Sequence, residues 1–133
     1  MVFLFQLHSV LRYLVLLAGV AALAYFAYGV ATRRSAARVA RALGASFVGL
    51  LDLQILVGVA LVISGRWSPV VIGHLVMMLL ATITAHGLFV INRRSARPGF
   101  GLLLTAVAVA LLLIVGGIFA IGRGPLQSTA ALG

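Results

Sequence analysis

The chain has 133 residues, of which 64% are hydrophobic and 8% charged, with a mean hydropathy of +1.27. A soluble domain carries roughly 25% charged residues, so this composition excludes one and marks an integral membrane protein. The formal charge of +9 would suit nucleic acid, but seven of the ten arginines fall in two short segments beside apolar runs. Topology and anionic lipid headgroups account for arginines so placed, and no nucleic-acid surface remains to propose.

The first apolar run, 2–31, exceeds the roughly 20 residues that a helix needs to cross the hydrocarbon core. It lacks a basic leader and carries Gln6, His8 and Arg12 where a cleavable signal is uniformly apolar, so it is expected to be a span. Arg33, Arg34, Arg38 and Arg41 follow in a basic connection. The second run, 42–64, holds Asp52 near its middle, the only acidic residue of the chain. A turn from Gly65 to Ser68 carries Arg66 and Trp67, the latter suited to anchoring at a membrane interface.

The third run, 69–91, contains His74, Met77, Met78 and His86, and is closed by Arg93, Arg94 and Arg97. The fourth, 99–121, has no ionisable residue and reads as a packing wall; the tail from Arg123 is short, rich in small residues and expected to be disordered. A β-barrel would need alternating polarity and more strands than this length supplies. The expected architecture is therefore all-α, an integral membrane four-helix bundle forming one domain over 1–133. The positive-inside rule puts the two arginine-rich connections in the cytoplasm and both termini outside. Ala18 with Ala22, Ala45 with Gly49 and Ala106 with Ala110 are small residues spaced for close helix approach.

With that topology His8 and His74 enter from the same side and lie at depths that agree within about one turn, at a rise of roughly 1.5 Å per residue. An imidazole in lipid is costly unless used. A lone one can serve simply to bridge helices, but two at matched depth on two helices suit the two axial positions of a haem iron. With no cysteine in the chain, thiolate metal sites, disulfides and c-type attachment are excluded, which leaves b-type haem. His86 lies about 18 Å further along the third span and roughly 120° around it, out of reach of the same iron. It is a candidate second metal site at most, so one haem per chain is expected.

The runs Leu7-His8-Ser9-Val10-Leu11-Arg12-Tyr13, Leu50 through Gly58, and Gly73-His74-Leu75-Val76-Met77-Met78 followed by Ala85-His86-Gly87 resemble the small four-helix cytochrome b-like membrane proteins of bacteria. The similarity covers all four spans. It implies b haem held by span histidines, here His8 and His74, and a place in the bacterial inner membrane. Two positions depart from the pattern: some members have a histidine where this chain has Asp52, and many have an acidic residue where it has Gly73.

Arg12 lies one turn beyond His8 on the same face, and Arg12 and Asp52 are expected to be the buried charges of the bundle. They could form an interhelical ion pair or hydrogen bond that fixes the bundle. Alternatively Arg12 binds a haem propionate, with Arg66 meeting propionates at the outer surface, and Asp52 orients His86 or relays a proton to a quinone. Met78 could point into the haem pocket. Two functions follow from these residues. One is an electron carrier rather than a catalyst, exchanging electrons with quinone, a redox partner or a larger respiratory complex. The other is a cofactor-free structural or assembly subunit whose histidines and charges tie helices together. A homodimer enters if His86 meets its counterpart across a two-fold axis.

Overall fold

A computed structural model describes residues 2–33 and 38–127. Arg34 and residues 128–133, on which part of the topology and tail expectations fell, lie outside the described residues. Four helices follow in order: α1 Val2–Ala31, α2 Arg38–Ile63, α3 Pro69–Arg94 and α4 Phe100–Ala120. All four are long and apolar enough to cross a membrane, and the described residues contain no strand. The chain is an all-α four-helix bundle with the character of a multi-pass membrane protein.

α2 begins at Arg38 rather than at residue 42, and α3 continues to Arg94 rather than ending at residue 91. Hydropathy marks only the part of a helix that lies in hydrocarbon, whereas the backbone hydrogen bonding of α2 and α3 extends into the basic connections. In α3 this puts Arg93 and Arg94 in the last turn, where they complement the helix dipole. Ser68 precedes the helix and Pro69 opens it, a first-turn position that asks for no N–H.

Consecutive helices alternate in direction. α3 packs most extensively on α4, and α1 lies between α2 and α4; of the four neighbouring pairs, α2 and α3 touch least. The end of the bundle that carries the basic connections is filled with rings. Phe26 and Phe47 are wholly buried, and Phe26 meets Phe89 and Phe100 at centroid separations of 6.4 and 6.2 Å, within the range of favourable aromatic pairs. Gly29 seats the Phe100 ring directly on its backbone, where a Cβ would collide with ring carbons. Ala22, Ala81, Ala85, Ala106 and Ala110 are fully buried and let the helices approach closely. Of the three small-residue pairs, Ala106 with Ala110 and the Ala22 end of the first lie inside; Ala45 and Gly49 face outward.

The opposite end, which carries the first turn of α1 and the Gly65 to Ser68 turn, has a repeated device. α2 and α4 each run out into a glycine in the left-handed region, Gly65 at φ 95° and Gly122 at φ 71°, and each glycine is followed by an arginine, Arg66 and Arg123. The Arg66 and Arg123 amide nitrogens reach back to the carbonyls of Leu61 and Ile118, closing the helix ends. Both arginines are thereby delivered to the same end of the bundle.

The ring-filled end predicts that Gly29→Leu, which must displace Phe100, destabilises the purified protein by about 1–3 kcal/mol, the usual cost of overpacking. Gly101→Ala, where an added Cβ meets nothing, is the control. Thermal unfolding in one detergent compares them; equal midpoints for Gly29→Leu and wild type would contradict the packing.

Candidate functional site

Inside the glycine-arginine end lies a cavity of about 850 Å³, to which all four helices contribute. This falls within the roughly 300–1,000 Å³ of cofactor and ligand sites. Its apolar wall includes Val15, Leu51, Ile55, Met78, Ile114 and Ile118, and its polar lining includes His8, Arg12, Gln54, His74, Arg66 and Arg123. His8, His74, Arg12, Arg66 and Met78, singled out from the sequence, all line it. Asp52 and His86 do not.

The His8 and His74 rings face each other with centroids 6.4 Å apart and planes at 75°. Two metal–imidazole bonds of about 2.0–2.1 Å, with roughly 1.1 Å from nitrogen to ring centre on each side, span about 6.3 Å. The spacing therefore fits two imidazoles on one iron. Among the described residues no three or more His, Cys, Asp or Glu side chains converge, so no all-protein metal cage is built there. Two axial imidazoles suffice where a macrocycle supplies the remaining ligands.

The tautomers follow from the partners. His74 Nδ1 lies 2.9 Å from the Gly117 carbonyl, which only accepts, so Nδ1 carries the proton and Nε2 keeps its lone pair. The Gln54 amide nitrogen lies 3.1 Å from both the His8 carbonyl oxygen and His8 Nε2. The carbonyl demands a donor, so the amide donates to both atoms and the proton of His8 sits on Nδ1. That nitrogen, Arg12 Nε and Gln54 Oε1 are buried and have no hydrogen-bond partner among the described residues. Leaving such a group unpaired costs about 1–3 kcal/mol. Three such atoms fall on residues that line one cavity, so the packing of the described residues leaves polar demand unmet in this region. One feature runs the other way: ligation at His8 Nε2 requires the Gln54 amide to turn aside.

Small residues make room for both rings. A Cβ on Gly58 would stand 3.2 Å from His8 Cε1, and one on Gly117 would stand 2.8 Å from Met78 Cε and 3.4 Å from His74 Nδ1. Met78 is buried against this wall.

Arg12 is 8% exposed and has no carboxylate partner among the described residues. Its Nη2 donates to the Gln127 carbonyl at 2.8 Å, and its guanidinium lies 4.6 Å from the centre of the Tyr13 ring. Arg66 stacks on Phe5 at 4.5 Å. The chain's only carboxylate side chain, Asp52, bonds instead to His86 Nε2, at 2.8 and 3.1 Å. Three guanidinium groups therefore line the cavity with no side-chain counterion, a setting for an apolar ligand with an anionic edge.

Three expectations are corrected. Asp52 is not buried: its side chain is 43% exposed and that of His86 47%, because both lie on the outward side of the α2–α3 seam. It does not pair with Arg12. The tail is ordered through Gln127, since that residue's carbonyl satisfies the buried Arg12 and its side-chain oxygen accepts from the Gly124 amide at 2.8 Å. α4 is more than a wall, because Gly117 sets the His74 tautomer. Gln54, Gly117 and Arg123 belong to the site and were not singled out. An amide in the same span as Asp52 and a Gly-Arg pair echoing Gly65-Arg66 were the available signals.

No family model matches the chain, and no curated protein or solved structure is significantly similar to it.

A charge-assisted hydrogen bond contributes about 1.5–3 kcal/mol, so Arg12→Met should speed amide hydrogen exchange across residues 124–127 by about tenfold or more. Exchange followed by mass spectrometry checks it; unchanged protection would show that Arg12 does not hold the tail.

Proposed function

We propose that this chain is a membrane b-type cytochrome that binds one haem between His8 and His74 and carries electrons. The observation that carries the reading is the pair of imidazoles 6.4 Å apart on the wall of a cavity of cofactor size. The haem would supply one-electron exchange at its iron. His74, with Nδ1 committed to Gly117, and His8, with Gln54 turned aside, would hold the iron. Arg12, Arg66 and Arg123 would hold the carboxylates, and the aliphatic walls limit water. Quinone, a redox protein or a larger respiratory complex is the exchange partner, and the protein acts as a carrier rather than a catalyst.

The arginine bias supports a site near the outer face of a bacterial inner membrane, with both termini outside, as part of this proposal. The resemblance of the span motifs to small bacterial cytochrome b-like proteins points the same way.

A second reading is a cofactor-free subunit in which His8 and His74 tie helices together. The bonds from Gln54 to His8 and from His74 to Gly117 favour it, since each crosses between helices. It leaves His8 Nδ1, Arg12 Nε and a large cavity without a purpose.

Reduced-minus-oxidised spectra of the purified protein separate the two. The cytochrome reading expects a sharp α band and one haem per chain by pyridine haemochrome. His8→Ala and His74→Ala should each abolish the low-spin spectrum, while His86→Ala retains it. A spectrally silent protein, or loss of the signal only in His86→Ala, would overturn the assignment.

Reporter fusions at Gln127 check the orientation: an active periplasmic and inactive cytoplasmic reporter is expected, and the reverse pattern would contradict it.

A further inference from the structure

The Asp52 and His86 pair sits where a membrane bundle should have nothing polar. Both residues are well inside their helices, each at least about 12 Å from the nearer helix end by the rise per residue. Both side chains are close to half exposed on the outer surface of the bundle. Apolar residues surround them, including Leu53, Leu56, Leu79 and Ile83, all turned outward. Intramembrane ionisable groups almost always face protein or a water-filled cavity, so lipid is the wrong neighbour for this pair.

The surface around the pair is also shaped for close approach. Gly49 lies one turn from Asp52 and Gly87 adjoins His86, and an added Cβ at either would meet nothing within 4 Å. Ala45, one turn before Gly49, is exposed as well. Ala45 and Gly49 are thus a small-residue pair that the bundle's own packing leaves unused, whereas Ala106 and Ala110 are fully buried in it. Of the neighbouring helix pairs α2 and α3 pack on each other least, and this seam is where the pair spans them.

The chemistry of the pair selects the occupant. Within the chain, His86 uses Nε2 toward Asp52, and Nδ1 has no partner among the described residues. The carboxylate retains free lone pairs. One patch therefore presents a nitrogen donor, when the ring is protonated, beside an anionic acceptor. Such a patch is complementary to itself under a two-fold rotation, and an isologous interface requires that property.

We infer that a second copy of this chain packs on the outward α2–α3 seam, with His86 of each chain hydrogen-bonded to the partner's Asp52. The two carboxylates and two imidazoles then close a ring in which every polar group is satisfied, and Gly49 and Gly87 let the backbones come close enough for it. The inference is independent of the haem site, which lies inside the bundle.

The chain has no cysteine, so single thiols report the interface cleanly. Gly49→Cys and Gly87→Cys, each oxidised in native membranes, should give a disulfide-linked species of twice the chain mass. Leu112→Cys, 73% exposed on α4, should not. Adding Asp52→Asn should reduce the Gly49→Cys product by about tenfold or more, as expected on losing charge-assisted bonds of about 1.5–3 kcal/mol. Single-molecule photobleaching of labelled, otherwise unsubstituted protein in lipid bilayers should show two steps, and needs no altered seam. One-step bleaching overturns the proposal. So do equal cross-linking from Leu112→Cys, indifference to Asp52→Asn, or a product whose mass identifies a different protein on the seam.

Discussion

Hydrocarbon offers no hydrogen-bond partner, and this single constraint organises the molecule. Each polar group inside the spans must be answered by the protein, by a ligand or by another chain. The polar residues of this bundle sort by how they are answered. Thr82, Thr105 and Ser64 return their hydroxyls to the carbonyl one turn back in their own helices. His74 and Gln54 bridge between helices. His8 Nδ1, Arg12 Nε and Gln54 Oε1 are buried and unanswered, and their residues line one cavity. Asp52 and His86 answer each other while facing outward.

The same constraint divides the bundle lengthwise. Toward the basic connections, phenylalanines and alanines fill the interior, and the buried Asn92 side chain accepts from the Gly99 amide at 3.0 Å. Toward the other end the helices stand apart around the cavity, and the closing elements are the two glycine-arginine turns and the ordered tail through Gln127. The rigid half holds the depth of His8 and His74 in register. The open half supplies space, an electropositive lining and a hydrogen bond from His74 Nδ1 to the Gly117 carbonyl that fixes the orientation of that ring.

The fold was legible from hydropathy alone, because four apolar runs in a chain this short admit one architecture. The matched depth of His8 and His74 was legible for a related reason: a fixed rise per residue turns sequence position into depth once the direction of each span is known. Azimuth was not legible. Asp52 was expected inside because it is charged, yet its position on α2 turns it outward, and only packing against α1 and α3 decides which face that is. Gln54, two residues on, turns inward to His8 for the same reason. Gly117 contributes a carbonyl, which no side-chain pattern announces. Arg123 was given no place at the site because the left-handed turn at Gly122 that returns it to the cavity is a tertiary feature.

The central claim is that His8 and His74 share one iron. Low-temperature electron paramagnetic resonance of the oxidised protein tests it most directly, since imidazole planes crossing at 75° should give a strongly anisotropic low-spin ferric signal. The account predicts one such species per chain, lost when either histidine is replaced by alanine. A high-spin signal in the unsubstituted protein, or a low-spin signal that survives His74→Ala, would contradict it.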